Sequence, residues 1–186
     1  MTRQPVAVAL VHHPVVDRRG DLVTTAVTNL DLHDIARTAR TYGAGRFYVI
    51  TPVAEQRLLI ERILGHWREG FGSTYNPHRG EALSLIRTVG TLDEALADWE
   101  EETGAPGFPV LTGAGRSDGV SFSRCRQLCR IHPVLLVFGT GWGLAPQLFE
   151  NNWTVLEPIK GAGDYNHLPV RSAVAIILDR LLNQNP

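Results

Sequence analysis

Five short apolar runs rich in β-forming residues punctuate this chain, at Val6 to Val11, Phe47 to Ile50, Pro109 to Leu111, Val134 to Phe138 and Thr154 to Leu156, and helical patterns fill most of the gaps. Strands that alternate with helices pair in parallel, because each crossover needs a helix and that helix must cover a sheet face. The expectation is an α/β fold, a mostly parallel sheet with helices on both faces. At 186 residues the chain suits one domain, 1–186, with a full core.

The helical patterns carry their own punctuation. A first helix is expected from about Asp31 to Tyr42, with Asn29 or Asp31 near its start, Gly43 just past its end, and a stripe of Leu32, Ile35, Ala36 and Ala39 facing inward. A second fits Glu55 to Trp67. Thr91 followed by Glu94 forms a capping box that opens a third, running to Glu102, in a stretch with several acids and no Lys or Arg. The last fits Pro169 to Leu182, with proline in its favoured first-turn place and Val170, Ala173, Val174, Ile177, Leu178 and Leu181 inward.

Composition removes several classes of function. With 44% hydrophobic and 20% charged residues the chain is neither disordered nor a membrane protein, and Val6 to Val11 is too short for a span or a signal-peptide core. A cytoplasmic location is the expectation. Cys125 and Cys129 lack a second pair to complete a zinc site and read as reduced helix residues, while His12, His13, His132 and His167 are too scattered for metal ligands, so no metal is expected. A net charge of -1 gives no basic field to signal nucleic acid. Of 18 basic residues only Lys160 is lysine; arginine forks suit phosphate, and genomic base composition explains the bias equally well.

The chemistry concentrates after the fourth apolar run, where Phe138-Gly139-Thr140-Gly141-Trp142-Gly143-Leu144 closes a buried strand. Glycines at such spacing let backbone approach a ligand. The loop lies far from the N-terminal crossover of a dinucleotide fingerprint and misplaces its last glycine, which demotes a nicotinamide oxidoreductase. Two segments follow in order, Leu156-Glu157-Pro158-Ile159 and Asp164-Tyr165-Asn166-His167-Leu168-Pro169-Val170-Arg171-Ser172-Ala173.

Together these three segments resemble the signature of the SPOUT superfamily of S-adenosylmethionine-dependent RNA methyltransferases. Thr28-Asn29-Leu30-Asp31-Leu32-His33-Asp34-Ile35-Ala36-Arg37-Thr38 is similar to the first motif of its ribose-methylating branch. His33 to Arg37, the glycine loop and Asn166-His167-Leu168 more narrowly resemble a bacterial group whose members sometimes occur fused to a tRNA guanine-N1 methyltransferase. The resemblance implies a deep C-terminal trefoil knot over about 108–186, although knots are rare. It assigns the methyl donor to Leu111, Thr112, Gly139, Thr140, Gly141, Gly143, Leu144, Leu156, Pro158, Ile159, Asn166, His167, Leu168, Val170 and Ser172. It further implies a homodimer with shared acceptor sites and an RNA substrate, with tRNA expected. Arg37 matches the family's catalytic arginine. Where ribose methylases carry asparagines before that arginine, this chain has Asp31, and Tyr165-Asn166-His167-Leu168 replaces the usual turn into the last helix. The acceptor stays open between a ribose 2′-hydroxyl, favoured by the first motif, and a base nitrogen; a non-catalytic donor-binding module shares every donor residue.

His33, Arg37 and Arg40 recur at i, i+4 and i+7 and so share one helix face, which reads as catalytic or simply as a solvated basic face. Arginine stays protonated, so Arg37 suits an anchor for phosphate and developing alkoxide, and His33, kept neutral by a neighbouring cation, suits the base. From His66 to Arg79, aromatics alternate with phosphate binders. Trp67, Arg68, Tyr75 and Arg79 are the RNA-binding candidates there, along with Arg40, unless the stretch is a loop whose aromatics pack on the core.

Overall fold

The computed structural model describes residues 5–163 and 165–183. Six strands form one parallel sheet: β1 (Val6–Val11), β4 (Arg46–Ile50), β5 (Ile86–Val89), β6 (Phe108–Leu111), β7 (Val134–Gly139) and β8 (Thr154–Val155), in the order β5-β4-β1-β7-β6-β8. A short antiparallel hairpin, β2 (Val15–Val16) with β3 (Leu22–Val23), follows β1. Among the described residues the helices are α1 (Asn29–Thr41), α2 (Ala54–Arg68), α3 (Phe71–Tyr75), α4 (Pro77–Leu83), α5 (Leu92–Thr103), α6 (Phe122–Ile131) and α7 (Val170–Leu182), with a 3-10 helix at Pro146–Asn151.

Both faces of the sheet are covered, which explains why its central strand reads as an unbroken apolar run. Val6, Val8 and Leu10 pack with buried residues of α1, α2, α4, α6 and α7, while Ala7, Ala9 and Val11 pack with α5 and Leu148 of the 3-10 helix. Trp99 anchors the second layer: it is buried, and a Cβ at Gly45 or Gly107 would lie 3.1 Å from its ring. None of the helices among the described residues is long and apolar enough to cross a membrane.

Several details depart from the sequence reading. Thr28, rather than Asn29 or Asp31, caps α1, its Oγ1 accepting from Asp31 N at 3.2 Å. Pro169 is the cap of α7 and Val170 its first residue. The capping box of α5 has Thr91 Oγ1 accepting from Glu94 N, but Glu94 Oε2 reaches Gly90 N, one residue before the cap. The acids of α5 do find arginines, from strands instead of their own helix: Arg46 pairs with Glu102 and Arg87 with Asp98. Residues 66–79 are mostly helical, running from the end of α2 through α3 into α4. The glycines there allow tight packing; a Cβ on Gly72 would lie 2.7 Å from the Trp67 ring. Cys125 and Cys129 stand one turn apart on α6, both buried, and a hydrogen bond to Cys129 followed by burial pushes the Cys125 thiol pKa up.

Candidate functional site

The sheet order reverses beside β1, since the chain builds outward through β4 and β5 and then returns to the other side with β6 and β7. In open α/β sheets the ligand crevice lies beyond the carboxyl ends of the strands at such a point. A cavity of about 820 Å³ opens there, walled by the loops after β6, β7 and β8, by residues 166–171 and by Thr25, Ala26 and Thr28. Its size falls within the range of small-molecule and cofactor sites.

The glycine loop is shaped by close backbone packing. A Cβ on Gly139 would sit 2.6 Å from Leu144 N, and Gly141 has φ +60 with its Cβ direction 3.1 Å from Val16 O. Hydrogen bonds from Trp142 N to Val16 O (3.0 Å), Val16 N to Gly143 O (3.0 Å) and Ala145 N to Pro14 O (3.2 Å) fasten this loop to β2. After β8, Leu156 N bonds Leu111 O at 2.8 Å and Glu157 N bonds Val120 O at 2.9 Å. Gly119 passes so close that a Cβ would strike the backbone of Leu156 and Glu157. Glu157 also accepts from Phe122 N at 2.7 Å, holding the start of α6 against this wall. The third wall is tied in by Asn166 Nδ2, which donates to Ala114 O at 3.2 Å, and His167 stands edge-on to Trp142 and Tyr165.

Of the donor residues named from sequence, Thr112, Gly139, Thr140, Gly141, Gly143, Leu144, Pro158, Ile159, Asn166, His167, Leu168 and Val170 line this cavity. Leu111 and Leu156 are instead buried at the strand ends behind the wall, and Ser172 is a half-buried residue of α7 outside it; Asp164 lies outside the described residues. Thr25, Asp31 and Arg116 line the cavity without having been anticipated there, and Trp142 and Arg171 line it from within the quoted donor segments. For Trp142 and Arg171 a signal existed, since one sits inside the glycine loop and the other between Val170 and Ser172; Thr25, Asp31 and Arg116 arrive from outside the three donor segments.

Beneath the cavity lies a polar floor. His12, 1% exposed, has Nδ1 3.0 Å from Thr25 Oγ1, which in turn bonds Thr140 Oγ1, and Thr140 donates to Val11 O at 3.0 Å. Burial pushes the His12 pKa down to about 4, against an opposing pull from the Asp31 charge.

A second cavity, about 790 Å³, lies along another face of α1 and contains His33, Arg37, Trp67 and Arg79 together with Arg62 and His66. Here the Arg79 guanidinium stacks over Trp67, 5.2 Å from the ring centroid, and His33 meets the same ring edge-on at 5.4 Å. Arg79 Nε and His33 Nδ1 are buried without hydrogen-bond partners. The His33 pKa is lowered first by burial and then by Arg79, with Arg37 a lesser contributor and Asp34 opposing. Burial, more than the neighbouring cation expected from sequence, keeps the ring neutral. Trp67 is a wall for Arg79 rather than an open stacking face, because Gly72 and His66 also pack on it. Three other candidates lie outside this cavity: Arg40 pairs with Glu81, Arg68 Nη2 donates to Ile86 O at 3.3 Å, and Tyr75 is an exposed residue stacked on Phe71. Arg171 spans the two cavities, 3.5 Å from Asp31 and 3.6 Å from Asp34.

Comparison with known proteins places this architecture. A family profile described as SAM-dependent RNA methyltransferase matches residues 5–183. A tRNA (guanine-N(1)-)-methyltransferase of Oleidesulfovibrio alaskensis is 45% identical over 174 residues, covering 94% of this chain and 41% of that protein. The chain thus spans about two fifths of that relative's length. An uncharacterised protein of Aquifex aeolicus is 43% identical, covering 100% of this chain and 92% of its own. Among solved structures, the A. aeolicus TrmH/SpoU tRNA modifying enzyme superposes with a TM-score of 0.59 at 18% identity, over 98% of this chain and 76% of that one. The SpoU methyltransferase AviRb from Streptomyces viridochromogenes, solved with the cofactor AdoMet, gives 0.57 at 20% identity, over 99% and 59%. These structural likenesses establish a shared fold.

Proposed function

The chain belongs to the SAM-dependent RNA methyltransferase family, and from that premise we propose that it binds S-adenosylmethionine in the larger cavity and methylates a tRNA ribose 2′-hydroxyl. The convergence of three loops at the carboxyl ends of β6, β7 and β8 carries this reading. Its walls fit such a ligand: Gly139 and Gly141 let the loop fold tightly against Leu144 and Val16 at the cavity edge, while Leu144, Ile159 and Leu168 supply apolar surface for a purine. When bound, S-adenosylmethionine supplies an electrophilic methyl group.

On the acceptor side, Arg37 anchors phosphate and stabilises developing alkoxide charge, and neutral His33 takes the hydroxyl proton. Arg79, with an unpartnered buried Nε, adds a second phosphate donor, and Arg40, Arg68 and Tyr75 extend contact over the surface. Because His33 and Arg37 line the second cavity and not the donor cavity of their own chain, the reading includes a symmetric homodimer in which one subunit's basic cavity meets its partner's donor cavity. It also includes one cytoplasmic domain over 1–186, knotted within about 108–186.

Binding calorimetry with S-adenosylmethionine, followed by nucleoside mass spectrometry of tRNA incubated with protein and donor, tests the reading. A 2′-O-methylated nucleoside supports it. A methylated base would transfer the activity to a ring nitrogen, a second reading favoured by the guanine-N1 activity for which the Oleidesulfovibrio relative is named. Donor binding without transfer to any RNA would leave a non-catalytic module.

A further inference from the structure

Trp142 has no part in the reading above, yet it is the one tryptophan among the described residues that stands exposed: 61% of it is open, whereas Trp99 is buried and Trp67 and Trp153 are half-buried. A ring of this size leaves a large apolar surface in water. The backbone beneath it is nonetheless fixed. Trp142 N donates to Val16 O and Val16 N to Gly143 O, each at 3.0 Å, and the flanking Gly141 and Gly143 have φ of +60 and +114. Glycine alone takes such values readily, so the loop holds the ring outward instead of folding it onto the core. Trp142 lines the donor cavity with His167 and Leu168, which are exposed as well, so the three form its rim. The His167 ring stands 6.3 Å from that of Trp142, and Tyr165 continues the row 5.3 Å from His167.

What crosses this rim follows from the chemistry. A folded RNA is too large to enter a cavity of about 820 Å³, so a methyl group held there reaches it only if one nucleotide leaves its stacked neighbours and is presented at the opening. Unstacking costs free energy, and an aromatic face at the opening offsets it. Trp67, the tryptophan that the sequence offered for this task, has its ring covered by Arg79, His33, His66 and the close approach of Gly72. We propose that Trp142 is the stacking platform for the unstacked base of the acceptor nucleotide, so that the glycine loop meets RNA with its exposed ring while its backbone walls the donor site. The proposal rests on the donor-site reading above. Stacking engages the face of a base and tolerates any sequence, so the ring fixes where the nucleotide sits and leaves its identity to other contacts.

The test follows tryptophan emission and RNA affinity with S-adenosylhomocysteine present, so that no transfer occurs, using bulk bacterial tRNA and a blunt RNA duplex without unpaired bases as probes; S-adenosylmethionine affinity is measured separately by calorimetry. tRNA should quench the emission of wild type, and the quench should be absent in Trp142→Phe, which removes the exposed one of the four tryptophans. Trp142→Ala should bind tRNA about ten-fold more weakly, the loss expected of one base–aromatic stack. Trp142→Phe should recover most of that loss, and duplex affinity should not change. Trp142→Leu keeps apolar bulk without an aromatic face; it should match the Ala variant, and it serves if that variant does not fold. Wild-type tRNA affinity in Trp142→Ala, or a Leu variant as good as Phe, overturns the proposal. So does a loss of S-adenosylmethionine affinity as large as the loss for tRNA, which assigns the ring to the donor. A dimer that falls apart in Trp142→Ala by sedimentation also overturns it, because the ring then belongs to a subunit interface. Wild type that binds S-adenosylmethionine without any quench by tRNA overturns this proposal alone, whereas wild type that binds no S-adenosylmethionine overturns the donor-site reading and this proposal with it.

Discussion

His12 couples folding to pH, and the size of the effect follows from its burial. The ring titrates at about 4 in the folded chain, because burial disfavours the imidazolium more than the Asp31 charge favours it, and at the ordinary 6.5 when unfolded. Above pH 6.5 the ring is neutral in both states and contributes no pH dependence. As pH falls from there to about 4, the unfolded chain takes up a proton that the folded chain refuses, so stability falls by about 3 kcal/mol. His12 is 1% exposed, so solvent screening does not reduce this figure. Urea unfolding of wild type and His12→Asn at a series of pH values isolates it, since every other titrating group is common to both. The gap between the two stability curves should move by about 3 kcal/mol in favour of the variant from about pH 7 to about pH 4. Parallel curves across that window would refute a buried, neutral His12.

Three further outcomes follow from the geometry. Gly141→Val should fold yet lose S-adenosylmethionine binding by calorimetry, because φ is +60 and its Cβ would press on Val16 O, a strain of about 1–3 kcal/mol placed on the loop itself. Trp99→Ala should lower unfolding free energy in urea by about 3–5 kcal/mol, since it empties the layer between α5 and the sheet. Arg37→Ala should weaken RNA binding and turnover with donor affinity unchanged, with little recovery in Arg37→Lys; His33→Ala should lower turnover chiefly. The wild-type rate should rise with pH through a value below that of ordinary histidine, because the His33 pKa is depressed and the base is active only when neutral; full activity in His33→Ala would place the base elsewhere.

Much of the fold was legible because its signals are short-range. The stripe Leu32, Ile35, Ala36 and Ala39 is buried as its spacing implied, and the five apolar runs form β1, β4, β6, β7 and β8 with ends within about two residues of the expected ones. The edge strand β5 went unread. Its four residues include the polar pair Arg87 and Thr88, and an edge strand packed on fewer neighbours needs no apolar run. The stretch from His66 to Arg79 looked loose because glycines favour loops, whereas Gly70, Gly72 and Gly80 are places where helices and Trp67 come too close for a Cβ.

By itself the sequence determined where strands and helices alternate, that the sheet is buried on both faces, and which loops carry glycines able to admit a ligand. Periodicity and glycine spacing depend on neighbours a few residues apart, so they can be read along the chain. Only the tertiary structure decided that Thr25 and Thr140, 115 positions apart, share one hydrogen bond beneath the larger cavity. It alone placed Asp31 and Arg116 on that cavity's wall, while His33 and Arg37 line another. The physical reason is that a cavity is closed by whichever segments the sheet order brings to the same strand ends, and burial and charge there belong to the assembled neighbours rather than to any stretch of sequence.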